Sequence, residues 1–137
     1  MTASGAALAD SDYAALASFR HALRQFLAFS ETQAGKVGLT PQQHQALLVI
    51  RGAGSDLPTI GYVAERLLLK PHSATGLIDR LETLGMVTRE SAETDRRRTM
   101  LRLTPSADTK LAALSSVHRE EIQRLRSAIA GILDQFG

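Results

Sequence analysis

The chain of 137 residues contains no cysteine and no tryptophan, and aromatic side chains make up only 4% of it. Without cysteine, disulfide scaffolds, thiolate metal sites and thiol redox switches are excluded. With so few aromatics, a core has to come from Leu, Ile, Val and Ala, a palette that suits helices. No apolar run approaches the roughly 20 residues of a membrane-spanning helix. The opening MTASGAALADSD lacks both a basic segment and a continuous apolar stretch, so export is not expected and a cytoplasmic protein is. Gly-rich phosphate loops, nucleophile elbows and paired carboxylates with a positioned base are missing too, so no enzyme is expected. Glu120 and Glu121 pair only in sequence, since helix neighbours point about 100° apart. The four histidines, His21, His44, His72 and His118, fall on different elements without metal-ligand spacing, so neither a metal nor a cofactor is expected.

What the chain does have is a moderate, unevenly placed charge. The formal net charge is +2. Residues 1–57 balance four basic groups against four acidic ones, and residues 105–137 balance likewise. The surplus lies in 58–104, eight basic against six acidic, where Arg96, Arg97 and Arg98 sit together. Charge alone reads that triplet as a solvated turn.

Periodicity and capping signals give the elements. The first eleven residues are small and polar and read as a frayed terminus. Residues 12–36 read as a helix with an apolar seam at Leu16, Phe19, Leu23 and Phe26. Thr40, Pro41 and Gln43 form an N-cap, a first-turn proline and a capping box, opening a helix that buries Ala46, Leu47 and Ile50 and ends at Gly52. Leu57-Pro58 reads as a short extended segment. Thr59 caps a third helix with Ile60, Val63, Ala64 and Leu67 inward, and Leu68, Leu69 and Lys70 connect it to a fourth. That helix opens at Pro71, buries Ala74, Leu77, Ile78, Leu81 and Leu84, and stops at Gly85. Two strands follow, Met86–Ser91 and Thr99–Leu103, with Arg89, Arg98 and Arg102 expected on the wetter face. Thr104-Pro105 then starts a helix over 105–136, with Gly131 a candidate break. Two short helices and a hairpin make a helix-turn-helix with a wing. The fold class expected is therefore mainly α, a single domain over 12–137: a winged helix-turn-helix core at 40–104 with a two-stranded wing, and long N- and C-terminal dimerisation helices at 12–36 and 105–136. A single chain would leave Leu16, Phe19, Ile129, Ile132 and Phe136 partly in water, which argues for a homodimer.

Four fragments in order carry a family resemblance: Ala64-Glu65-Arg66-Leu67, Asp79-Arg80-Leu81-Glu82-Thr83-Leu84-Gly85, Asp95-Arg96-Arg97, and Leu103-Thr104. At these spacings the chain resembles the MarR family of winged helix-turn-helix regulators. The resemblance implies a homodimer on double-stranded DNA, with the fourth helix in the major groove and the wing tip at the adjacent minor groove or its phosphates. It implies transcriptional regulation, usually repression, often relieved by a small phenolic or other aromatic ligand. Departures are Lys70, where a Ser usually sits near the helix start, Ala107 in place of a glycine, and Gly76 in mid-helix. With no cysteine, the family's thiol-based peroxide sensing is excluded.

The DNA-binding residues expected are Lys70, His72, Ser73, Thr75, Gly76 and Arg80 on the fourth helix, and Arg96, Arg97 and Arg98 on the wing, which the resemblance turns from a solvated face into a DNA contact. Ser73, Thr75 and His72 can bond base edges or phosphates. Arg80 is the strongest candidate, with Asp79 as its competing partner. Asp95 is expected to pair with Arg97 and hold the tip, so that an arginine enters a narrow minor groove. His21, His44 and His118 are candidates for a ligand pocket. The alternatives are a winged-helix protein-interaction module without DNA binding, and a metal-responsive regulator.

Overall fold

The computed structural model describes residues 7–91 and 98–136. Its elements are α1 (Asp10–Lys36), α2 (Pro41–Gly52), α3 (Ile60–Leu67), α4 (Pro71–Thr83), β1 (Val87–Ser91), β2 (Thr99–Leu103) and α5 (Pro105–Leu133). They form two compact units, one made of residues 33–115 and the other of residues 1–32 with 116–137.

In the 33–115 unit, local chemistry sets the helix ends. Thr40 accepts a hydrogen bond from the Gln43 amide while the Gln43 side chain accepts from the Thr40 amide, completing the capping box. Thr59 Oγ1 likewise accepts from the Tyr62 amide at 3.1 Å. Helix ends repeat one geometry three times. After α1, Gly38 takes φ 81° and the Leu39 amide donates to Ala34 O at 3.0 Å. After α4, Gly85 takes φ 74° and the Met86 amide donates to Leu81 O at 2.9 Å. After α3 the same left-handed position falls to Leu68, φ 57°, with the Leu69 amide on Ala64 O at 2.9 Å. Each is a Schellman end, two with the expected glycine and one with leucine.

The core of this unit joins Leu47 and Ile50 of α2, Val63 of α3, Leu77, Ile78 and Leu81 of α4, Val87, Leu101 and Leu103 of the hairpin, and Leu111 and Leu114 of α5. Ala107, at the departure from the glycine pattern, is fully buried there. Leu84 is the exception to the expected α4 face: it is 53% exposed because it lies beyond the helix, at the turn.

The strands pair antiparallel, with Val87 opposite Leu103 and Arg89 opposite Leu101. Opposed residues share a face, so Arg89 lies on the inner face with the buried Val87, Leu101 and Leu103. It is nonetheless exposed, as are Arg98 and Arg102, in keeping with the expectation from the sequence. Leu57-Pro58 does act as an extended neighbour, through one bond from the Leu101 amide to Pro58 O at 2.8 Å, without becoming a strand. Thr104 Oγ1 accepts from the Ala107 amide at 3.2 Å and donates to Gly85 O at 2.7 Å, so one hydroxyl caps α5 and ties it to the end of α4.

In the other unit, Ala15, Ala22 and Ile132 are buried, with Phe19, Leu125 and Phe136 packed against them. His118 Nε2 and Ser30 Oγ are 2.8 Å apart, and the edges of Phe26 and Phe29 meet the imidazole at centroid distances of 6.0 and 5.4 Å. The α1 seam is only partly covered: Tyr13, Leu16, Leu23 and Leu27 remain exposed, as do Val117, Ile122 and Leu133. Ile132, expected to be partly in water, is covered within the chain because Ala15 and Ala22 leave room for it. Gly131 does not break α5, which continues through it to Leu133.

Candidate nucleic-acid interface

The fourth helix owes its position to its apolar stripe. Ala74, Leu77, Ile78 and Leu81 are buried, a spacing of three and four that turns the opposite stripe outward. Lys70, His72, Ser73, Thr75, Asp79 and Arg80 are all exposed on that stripe, and Gly76 is intermediate. The helix start differs from those of α2 and α3. Lys70 occupies the N-cap in an extended conformation without a side-chain cap, so its first-turn amides have no intrahelical or side-chain acceptor. An uncapped start with Pro71 at the first position favours an approaching anion. Thr75 Oγ1 donates to Pro71 O at 3.1 Å, which commits its proton and leaves the oxygen as an acceptor.

Asp79 turns out to have a different partner from the one expected. It bonds to Arg89 of β1, and Glu82 lies 3.4 Å from the same guanidinium. Two carboxylates one helical turn apart on α4 thus hold an arginine that rises from the inner face of the hairpin. Arg80, in consequence, makes no ion pair with another described residue. Sequence reasoning missed this clamp. The signal was present as acids at 79 and 82 beside a basic residue in the next strand, but pairing them required the strand register.

Gly76 has room for a side chain. A Cβ there would meet Arg80 Nη1 at 3.6 Å, an ordinary contact. Nothing among the described residues therefore demands glycine at this position.

On the wing, Arg98 is exposed and, with Asp56, Thr59 and Tyr62, lines a cavity of about 320 Å3. Tyr62 was not singled out by the sequence. Asp95, Arg96 and Arg97 lie outside the described residues. Of the three histidines expected at a ligand pocket, His21 is exposed and His118 is buried among Phe26, Phe29 and Ser30, both in the unit of the chain ends. His44 is buried on α2 in the 33–115 unit.

The MarR family model matches residues 37–98, the segment from α2 to the wing. No curated protein matches the chain. Among solved structures, AbsC, a MarR family transcriptional regulator from Streptomyces coelicolor, is 21% identical with a TM-score of 0.73, over 87% of this chain and 80% of that one. MepR, a transcription regulator of the Staphylococcus aureus multidrug efflux pump MepA, is 22% identical with a TM-score of 0.71, over 80% and 79%. Its complex with DNA gives 23% and 0.69, over 80% of each chain. The YusO protein from Bacillus subtilis is 26% identical with a TM-score of 0.62, over 82% and 78%. The fold is common to all of them, and the match at 37–98 covers the same caps, helices and strand that build the exposed face of α4. Over residues 37–98 this chain is therefore similar to the MarR family, and it shares the winged helix-turn-helix fold of these structures.

Proposed function

We propose that this protein is a cytoplasmic, homodimeric, sequence-specific DNA-binding transcriptional regulator, acting as a repressor on a pseudo-palindromic operator and released by a small aromatic or phenolic ligand. The observation that carries this is the outward face of α4, where Lys70, His72, Ser73, Thr75 and Arg80 stand exposed on a helix anchored by its buried stripe and by the Asp79–Arg89 clamp. Such a face supplies what groove recognition needs: side chains for base edges, an uncapped helix start for phosphate and a cation with no ion-pair partner among the described residues. MepR, solved bound to DNA, supports the same use of the fold. The same reading assigns DNA contacts to Arg98, which is exposed, and to Arg96 and Arg97, which with their expected partner Asp95 lie outside the described residues.

The dimer is supported by the apolar residues left in water in the unit of the chain ends. Tyr13, Leu16, Leu27, Ile122 and Leu133 are each 44–59% exposed. Scattered single apolar residues are normal on a surface, but several along two long helices form a seam that a second copy would cover. A two-fold axis would place the two α4 helices on half-sites about 10–10.5 base pairs apart. For the ligand, His118 beside Phe26 and Phe29 offers aromatic and hydrogen-bonding chemistry within the unit of the chain ends.

Selecting DNA from a random pool and measuring affinity by fluorescence anisotropy tests the regulator assignment. Arg80→Ala should weaken binding by about tenfold, the share of a charged or bidentate DNA contact worth about 1–3 kcal/mol. The logarithm of affinity should fall with that of salt at about 0.9 per phosphate neutralised. Failure to enrich any sequence, with no salt-dependent binding, would instead favour a protein-interaction module.

A further inference from the structure

Gly76 interrupts the outward face of α4, and the side chain that approaches it is that of Arg80. His72, Gly76 and Arg80 follow one another at steps of four, so they stack in one line along the helix. Thr75 and Asp79 form a neighbouring line, and there Arg89 takes Asp79. Side chains on a helix lean toward its start. Arg80 does so: its Nη1 lies 3.6 Å from where a Cβ of Gly76 would stand. Beyond the chain neighbours and the local helix backbone, no other described atom comes within 4 Å of that point. The guanidinium is thereby carried one turn, about 6 Å along the axis, toward the start of α4.

Other observations agree with such a seat. Gly76 is half-buried although His72, Ser73, Thr75, Asp79 and Arg80 around it are all exposed, as expected of a glycine with a side chain laid across it. Arg80 has no ion pair with another described residue, so no carboxylate draws its head elsewhere. Gly76 is not among the glycines with positive φ, and glycine inside a helix costs stability relative to alanine. A small residue there is explained by the arginine above it rather than by the backbone.

We propose that Gly76 determines DNA specificity through Arg80: by staying small it seats the guanidinium one turn toward the helix start, and so selects which guanine that arginine reads. Arginine recognises guanine by paired hydrogen bonds to O6 and N7, which fixes where its head must lie. With the head at the level of residue 76, the guanine selected is the one facing that turn rather than the one facing residue 80. The seat also restricts a long side chain that would otherwise lose freedom on binding. A side chain much larger than alanine at 76 fills the seat and lifts the guanidinium away. The proposal rests on the regulator assignment above.

The test selects DNA from a random pool with the full chain and with Gly76→Ala, Gly76→Leu and Arg80→Ala. Fluorescence anisotropy then measures each of them, and the combined Gly76→Leu and Arg80→Ala variant, on the sequence the unaltered chain selects. Circular dichroism checks folding, and Gly76→Met repeats the leucine measurement with a more flexible chain. Gly76→Ala should select the same sequence, because a Cβ at 3.6 Å from Nη1 leaves the seat in place. Gly76→Leu should weaken binding by about tenfold and abolish the preference for one guanine in each half-site, the same guanine that Arg80→Ala loses. With Arg80 already replaced, Gly76→Leu should cost less than about twofold more, since no guanidinium remains to displace. An equal loss in both backgrounds would mean that the leucine meets DNA directly, and it overturns the proposal. A guanine preference that survives both Gly76→Leu and Gly76→Met, or one that Gly76→Ala alone shifts, overturns it as well. A pool that yields no enriched sequence overturns the regulator assignment, and this reading with it.

Discussion

Replacing Leu68 with glycine should stabilise the protein, although it deletes a large apolar side chain. Leu68 ends α3 at φ 57° and is 93% exposed. The left-handed conformation costs an L-residue roughly 1–2 kcal/mol through the clash of Cβ with the following carbonyl, and glycine escapes that cost. The deletion forfeits almost no burial, since the side chain already lies in water. Against the gain stands the larger conformational freedom of glycine in the unfolded chain, about 0.4–1 kcal/mol. The difference favours Leu68→Gly by about 0.5–1 kcal/mol on these two terms. Two neighbouring helix ends, at Gly38 and Gly85, already make the same hydrogen bonds with glycine, so the substitution needs no new backbone geometry. In urea, followed by circular dichroism at fixed protein concentration, the midpoint should rise with an unchanged m-value. The melting temperature should rise by roughly 2–5 °C. Destabilisation by more than about 1 kcal/mol would show that the Leu68 side chain is packed in solution and that its backbone is not under strain.

Gly76→Ala should also stabilise, by about 0.5–1 kcal/mol, because an added Cβ meets only the end of Arg80 at 3.6 Å. If affinity for selected DNA falls in the same variant, glycine at 76 serves close approach to the duplex; equal affinity would assign it no such role. Thr40→Ala removes the side-chain half of the α2 capping box and should cost about 1 kcal/mol in denaturant titrations. Asp79→Asn should cost no more than about 1 kcal/mol, since Asp79 is 57% exposed and Glu82 remains beside Arg89. A loss above about 3 kcal/mol would mean that the α4–β1 clamp is desolvated. If the proposed dimer forms through the exposed α1 residues, Leu16→Glu combined with Leu27→Glu should give monomers by light scattering, and a dimer mass unchanged by the substitutions would exclude this seam as the interface.

The parts legible in the sequence are those that local chemistry decides. Thr40 and Thr59 had to cap, because a hydroxyl at that offset satisfies an amide the helix cannot. Gly85 had to end α4, and the three- and four-residue spacing of Ala74, Leu77, Ile78 and Leu81 fixed which stripe of α4 faces outward. The exposed set from Lys70 to Arg80 follows from that spacing. Tertiary structure decided the partnerships. Arg89 is exposed as expected, but that its head reaches Asp79 and Glu82 across the turn from helix to strand is decided only by how β1 packs beside α4. Arg51 meets Asp108, and His118 meets Ser30, only because distant segments of chain are folded together. Periodicity reports which way a side chain points along its own element; what it meets there depends on the register and packing of another.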